Sequence, residues 1–238
     1  MVVTESQDDS IGAAVDQRQV IAWLRQAAAT TGLSLQLHPI DRQSTRGAWL
    51  RQHLSTLKPG PEDVVVFYYS GHGSLRCSGE SRPVFSMPGN FCFGQASIHQ
   101  LLLSQAPRLL ITIFDCCTER AYMEPPLRSL EPGTLIPRQQ QNLRALWLGY
   151  RGDLRIQSND PQFGPFSYGN DEFGGLFTDT FLAAYRRTLG GDTTACTWDS
   201  ILYQTRSNVR RFAQLDRKVQ VPSYAIELRP IQMSLRKK

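Results

Sequence analysis

Long apolar runs are missing from this 238-residue sequence. No stretch approaches the roughly 18 residues that a membrane-spanning helix needs, so no membrane partner is expected. Met1-Val2-Val3-Thr4-Glu5-Ser6 has neither the charged start nor the apolar centre of a secretory signal, which leaves the cytoplasm as the expected compartment. Cysteine is scarce. The five present, Cys77, Cys92, Cys116, Cys117 and Cys196, show no paired ligand spacing and leave one over, which argues against zinc and for reduced thiols. Charge of one sign is weak as well. The net +5 comes mostly from dispersed arginine, with Arg236-Lys237-Lys238 at the end. No basic cluster or aromatic-interleaved motif marks a nucleic-acid partner. Neither a GxGxxG nor a GxxxxGK loop occurs, and no internal repeat is visible. A cysteine phosphatase would want arginine six positions after its cysteine; Tyr122 and Met123 stand there after Cys116 and Cys117.

What is present is one pairing of motifs. Val64 to Tyr69 is an apolar run ending on Ser70-Gly71-His72-Gly73, and Leu109 to Phe114 is another ending on Asp115-Cys116-Cys117. Both runs read as buried strands of a parallel sheet. Sites in open α/β sheets form at the carboxyl ends of strands. Two neighbouring strands ending in His72 and Cys117 bring an imidazole and a thiol to one rim, as a cysteine nucleophile with a histidine base requires.

Around that pairing, Val15 to Ala29 has helical spacing with Gly32 as its stop. Leu33, Leu35 and Leu37 alternate like a half-buried strand. Ser44 or Thr45 opens a second helix carrying Trp49, Leu50, Leu54 and Leu57, with His53 as an ordinary helix residue, and Lys58-Pro59-Gly60-Pro61 ends it. Residues 74–95 read as an exposed loop. A short helix over Ile98 to Leu103 carries His99 on the surface. Thr118 to Gln141, with its prolines and glutamines, is not expected to pack into an element. Leu143 to Leu148 reads as a short helical turn, and Leu154-Arg155-Ile156 as a strand. Asn159 to Asn170 reads as a loop, and Phe177 to Leu189 as a helix opened by Gly174-Gly175. Thr197 caps a last helix through Phe212. Pro222 to Ile226 closes the sheet.

Tyr69-Ser70-Gly71-His72-Gly73 followed by Asp115-Cys116-Cys117 resembles the caspase and metacaspase family of cysteine peptidases, and is similar to caspase-like proteins found in bacteria. The likeness runs on through Gly174-Gly175-Leu176-Phe177-Thr178, Thr197-Trp198 and Gln220-Val221-Pro222-Ser223-Tyr224, covering roughly Gly32 to Glu227. It implies an α/β, caspase-like three-layer sandwich, with a mostly parallel central sheet and helices on both faces. It also implies a single domain over 1–238: a large-subunit-like part over about 1–117, a linker loop over about 118–142 and a small-subunit-like part over about 143–230. Arg120, Arg128 and Arg138 are candidate cut sites in that linker, and a long unprocessed surface loop is the equal alternative. The first strand looks abbreviated.

By the same resemblance Cys117 is the nucleophile, His72 the base, and the amides of Gly73 and Cys117 the oxyanion donors. Ser70 and Asp115 occupy the positions that accompany cleavage after arginine or lysine in metacaspases. A carboxylate in a partly dry pocket pairs well with a guanidinium. Asp115 as the cap of a neighbouring loop remains the competing reading, and Asp160, Asp171 and Glu172 compete for the role of a second pocket acid. Cys116 is expected to point the opposite way and pack as a small hydrophobe. Thr118-Glu119 departs from the His-Ser that many metacaspases carry there. No cofactor is implied, and calcium activation has no assignable acids. A protein or peptide substrate and a monomer, rather than a dimer, are expected. Two functions stay open: a cysteine endopeptidase cutting after Arg or Lys through a thioester, and a silent interaction module of the same fold.

Overall fold

The apolar, β-branched runs become the middle of one sheet. The computed structural model describes residues 1–4, 12–41, 45–73, 84–87, 91–116, 119–122, 134–163 and 166–231. Its strands are β1 (Val2–Thr4), β2 (Pro39–Asp41), β3 (Val64–Ser70), β4 (Val84–Met87), β5 (Phe91–Gly94), β6 (Leu109–Asp115), β7 (Glu119–Tyr122), β8 (Tyr150–Gln157), β9 (Phe166–Asn170), β10 (Gly174–Gly175) and β11 (Ser223–Pro230). Its helices are α1 (Ala13–Thr31), α2 (Gly47–Thr56), α3 (Gln95–Leu103), α4 (Pro137–Leu148), α5 (Leu176–Gly190) and α6 (Trp198–Leu215). The main sheet has the order β11-β8-β6-β3-β1-β2. Only β11 is antiparallel.

Successive side chains of a strand face opposite ways, and that period sorts the core. Tyr68, Ile111 and Ile113 join one cluster with residues of α1, α4, α5 and α6, while Phe67, Tyr69, Leu110 and Phe114 join another with α2, α3 and Phe85 and Phe93 of the β4–β5 hairpin. Helices therefore cover both faces, giving the caspase-like α/β sandwich. Arg108, 3 % exposed, pins the start of β6. Its guanidinium donates to the carbonyls of Glu62 (3.1 Å), Trp147 (3.0 Å) and Tyr150 (2.9 Å).

Several sequence expectations are corrected. Leu33 to His38 forms no strand; pairing starts at Pro39, and Leu35 is exposed. Val84–Met87 and Phe91–Gly94 pair as antiparallel strands where a loop was expected, and Phe85 and Phe93 stack at 5.3 Å beneath the sheet. The glutamine-rich stretch opens α4, with Pro137 in the first turn where its missing N–H costs nothing. β7 and β9 pair in parallel within segments that read as loops. Strand pairing between distant segments leaves no trace in local composition. Arg138 lies in α4 and donates to the Gly190 carbonyl, whereas Arg128 and Ser44 lie outside the described residues.

The cysteines also differ from expectation. Cys92 on β5 is disulfide-bonded, whereas Cys116 and Cys196 carry no disulfide. A disulfide depends on two Cβ atoms meeting at about 3.8 Å, which spacing along the chain does not reveal. No described helix is long and apolar enough to cross a membrane.

Candidate functional site

β3 and β6 are hydrogen-bonded neighbours in register from Val64↔Leu109 to Ser70↔Asp115. The ladder runs one step further, where the Gly71 N–H donates to the Asp115 carbonyl at 3.3 Å. Gly71 takes φ 157°, a conformation that side chains disfavour, and the backbone leaves the sheet there. His72 follows and is exposed, with Gly73 half-buried behind it. The Tyr69 hydroxyl donates to the His72 carbonyl at 2.6 Å.

The matching tip of β6 ends on Asp115 and Cys116. Cys116 is fully buried in the α2/α3-side core, as the alternation requires. Ser158, after β8, holds this tip: its N–H donates to Phe114 and its hydroxyl to Cys116, at 2.8 and 3.3 Å. Cys117, two residues beyond Asp115 as His72 is two beyond Ser70, lies outside the described residues.

Ser70 and Asp115 project to the α1/α5 side, and there the structure supplies an acid that the sequence reading missed. Asp16, in the first turn of α1 and fully buried, accepts from the Ser70 hydroxyl at 2.5 Å and from the Gly175 N–H at 2.7 Å. A Cβ on Gly174 (φ 87°) would fall 2.1 Å from Asp16 Oδ1, so β10 approaches the carboxylate this closely only as glycine. One signal was present in the sequence. Asp16 sits on the apolar stripe of Val20, Trp23 and Ala27, where an acid is out of place unless it has partners. Asp160 instead accepts from the Gln162 N–H of its own turn, and Asp171 and Glu172 are exposed.

Asp115, also fully buried, accepts from the Ser167 hydroxyl at 3.2 Å, the Thr178 hydroxyl at 2.7 Å and the Thr178 N–H at 3.3 Å. The last bond caps the first turn of α5. The carboxylate therefore serves as a helix cap, and with three bonds accepted about one of its four lone-pair sites is left for a further role. Tyr68 stands between the two acids, with its hydroxyl on Thr178 at 2.7 Å. Burial, followed by the negative charges of Asp16 and Asp115, raises its phenol well above the ordinary range. The tips of β3 and β6 thus form one electronegative, dry corner.

Other chemistry-bearing residues lie elsewhere. His99 is buried, not on the surface: its ring bridges Thr112 (2.9 Å) and Asp153 (2.8 Å) beneath α3. His53 stacks on Trp49 at 4.7 Å on α2. Burial pushes the Cys196 thiol up to about 11, which leaves it unreactive near neutral pH. A cavity of about 360 Å³ opens at the far end of β3, lined by Val64, Val65, Leu33 and Leu54. Its lining mixes these apolar residues with polar ones such as Ser34, Gln36 and Asp63, and it lies away from the His72 rim. Among the described residues no group of three His, Cys, Asp or Glu could hold a metal ion.

Comparison with known proteins bears on the family and the fold. The family described as "Caspase domain" (peptidase C14) matches residues 12–230. Metacaspase-2 and metacaspase-3 of Trypanosoma brucei brucei are each 36% identical to the chain over 89 residues, covering 33% of this chain. The match spans 24% of the length of each of these relatives. Caspase-1 from Spodoptera frugiperda superposes with a TM-score of 0.52 at 15% identity, over 94% of this chain and 84% of that one.

Proposed function

Because this chain belongs to the caspase-domain family of cysteine peptidases, we propose that it is an endopeptidase that cuts peptide bonds after arginine or lysine. In this reading Cys117 is the nucleophile and His72 the general base. The imidazole takes the thiol proton, the thiolate adds to the scissile carbonyl, and the Gly73 and Cys117 amides receive the oxyanion. Collapse returns the proton from His72 to the leaving amine and leaves a thioester on Cys117. Water, deprotonated by His72, then releases the acid and regenerates the thiol.

One observation carries the reading: the β3–β6 register pairs Ser70 with Asp115, two residues before His72 and two before Cys117. Specificity rests on the acids of that corner. The Ser167 and Thr178 groups that donate to Asp115 are neutral, so those bonds orient its carboxylate without bringing a positive charge to it, and Asp16 accepts from Ser70 and Gly175 beside it. A guanidinium or ammonium is the side chain that such a corner stabilises, and a P1 aspartate is repelled. Asp16 is the second acid of this proposed pocket. The division into large-subunit-like and small-subunit-like parts belongs to the same proposal.

Cleavage of a peptide library tests it, with wild type beside Cys117→Ala and Cys116→Ala. Arginyl and lysyl P1 peptides are expected to be cut and aspartyl ones left intact. Cys117→Ala should abolish turnover while Cys116→Ala retains most of it. Wild type that cuts none of the library, and takes up no arginyl covalent inhibitor at any thiol, would be a silent module.

A further inference from the structure

The α2/α3 side of β3 and β6 is lined by phenyl rings, and one member of that layer carries a hydroxyl. Tyr69 is fully buried, stacked on Phe85 (ring centroids 4.1 Å, 15° between planes) and tilted against Phe114 at 5.9 Å. Phenylalanine would fill the same stack, as Phe67 does two residues earlier on the same face. A phenol oxygen taken out of water needs a partner. Here the hydroxyl donates to the His72 carbonyl at 2.6 Å, across the Gly71 bend.

That carbonyl and the Gly73 N–H belong to one planar trans peptide unit and point in opposite directions. Whatever fixes the carbonyl therefore aims the amide. The flanking glycines, Gly71 and Gly73, bring no side chain of their own to restrain the unit. A hydrogen bond to the carbonyl also polarises the peptide and strengthens its N–H as a donor. We infer that Tyr69 is a positioning residue for the oxyanion site, holding the His72–Gly73 peptide so that the Gly73 N–H faces the developing negative oxygen. The inference rests on the peptidase reading above. It assigns to the sheet interior, rather than to the exposed loops, the control of an oxyanion donor.

The test compares Tyr69→Phe with wild type in reactions that do and do not create an oxyanion. A peptide arginal adds the Cys117 thiolate to its aldehyde carbon, moving the C=O electron pair onto oxygen, whereas iodoacetamide alkylates the same sulfur by displacing iodide at a CH₂ carbon. With the ring stack kept, Tyr69→Phe is expected to lower kcat on an arginyl peptide by about tenfold at nearly constant KM, and to weaken the arginal by a similar factor. Loss of one preorganised hydrogen bond has about that effect. Alkylation by iodoacetamide should stay within twofold. Equal kcat and arginal affinity in the two proteins would overturn the inference, and so would parallel losses in the arginal and iodoacetamide reactions, which mark a general loosening. If wild type itself neither cuts arginyl peptides nor binds the arginal, the peptidase reading has failed and the inference falls with it.

Discussion

Asp16 is a carboxylate at a position where a helix of this pattern would ordinarily carry an apolar side chain. Its two oxygens tie α1 to Ser70 and to Gly175, residues 54 and 159 positions away. Replacement by asparagine keeps shape and a carbonyl acceptor but removes the charge. Asp16→Asn is therefore expected to lower kcat/KM for an arginyl P1 peptide by roughly 10- to 100-fold, the worth of a charge-assisted bond. A citrulline isostere should change far less; if both substrates respond alike, Asp16 is structural only. His99 gives a prediction of another kind. Burial, partly offset by Asp153, lowers its imidazole below the ordinary 6.5. The unfolded chain then binds the proton more readily than the folded one, so this contribution to stability is complete above about pH 6.5 and is lost as pH falls toward the lowered value. His99→Gln, which can still meet Thr112 and Asp153, should shrink the difference between urea midpoints at about pH 7.5 and 5.5.

At the scale of elements, α6 shows how a local signal sets a boundary. The Thr197 hydroxyl accepts from the Ser200 N–H at 3.1 Å, and Trp198, Ile201, Leu202, Thr205 and Val209 turn inward from that start. Thr197→Ala is expected to cost about 1 kcal/mol, a fall of about 2–4 °C in Tm for a chain of this size. The change should leave peptide cleavage unaffected, since α6 packs chiefly on α5 and β11. α5 differs, because its first turn is capped from another element: Asp115 at the end of β6 accepts from the Thr178 N–H. Helix start and candidate site are therefore coupled. Asp115→Asn should lower Tm and arginyl cleavage together, whereas Thr197→Ala separates the two readouts.

The main sheet draws its strands from both sides, in sequence, of the segment between β7 and α4. β6 and β8, on either side of that segment, pair in parallel from Leu109↔Gly152 to Phe114↔Gln157, and the larger core cluster draws on α1 as well as on α4, α5 and α6. A single cut within residues 123–133 would leave this ladder and core in place. Trypsin-nicked protein is expected to elute from a sizing column at the position of the intact chain, with its two pieces parting only in denaturant. Separation in native buffer would show that the connection, rather than the shared sheet, holds the halves together.

Some of this was decided along the chain. The stop of α1 at Gly32 (φ 78°), the cap of α6 at Thr197 and the cores of β3 and β6 follow from spacing, capping chemistry and apolar runs. The pairing of Ser-Gly-His-Gly with Asp-Cys-Cys likewise points to neighbouring strand tips, and β3 and β6 are neighbours. Other features existed only in three dimensions: the meeting of Asp16 with Ser70, the burial of His99 between Thr112 and Asp153, and the β7–β9 pairing. The disulfide at Cys92 and the Tyr69 hydroxyl on the His72 carbonyl complete that set. The physical reason is common to the features that join distant segments. Capping and periodicity act within a few residues and leave a local signature, whereas a long-range polar contact depends on which faces the sheet order brings together.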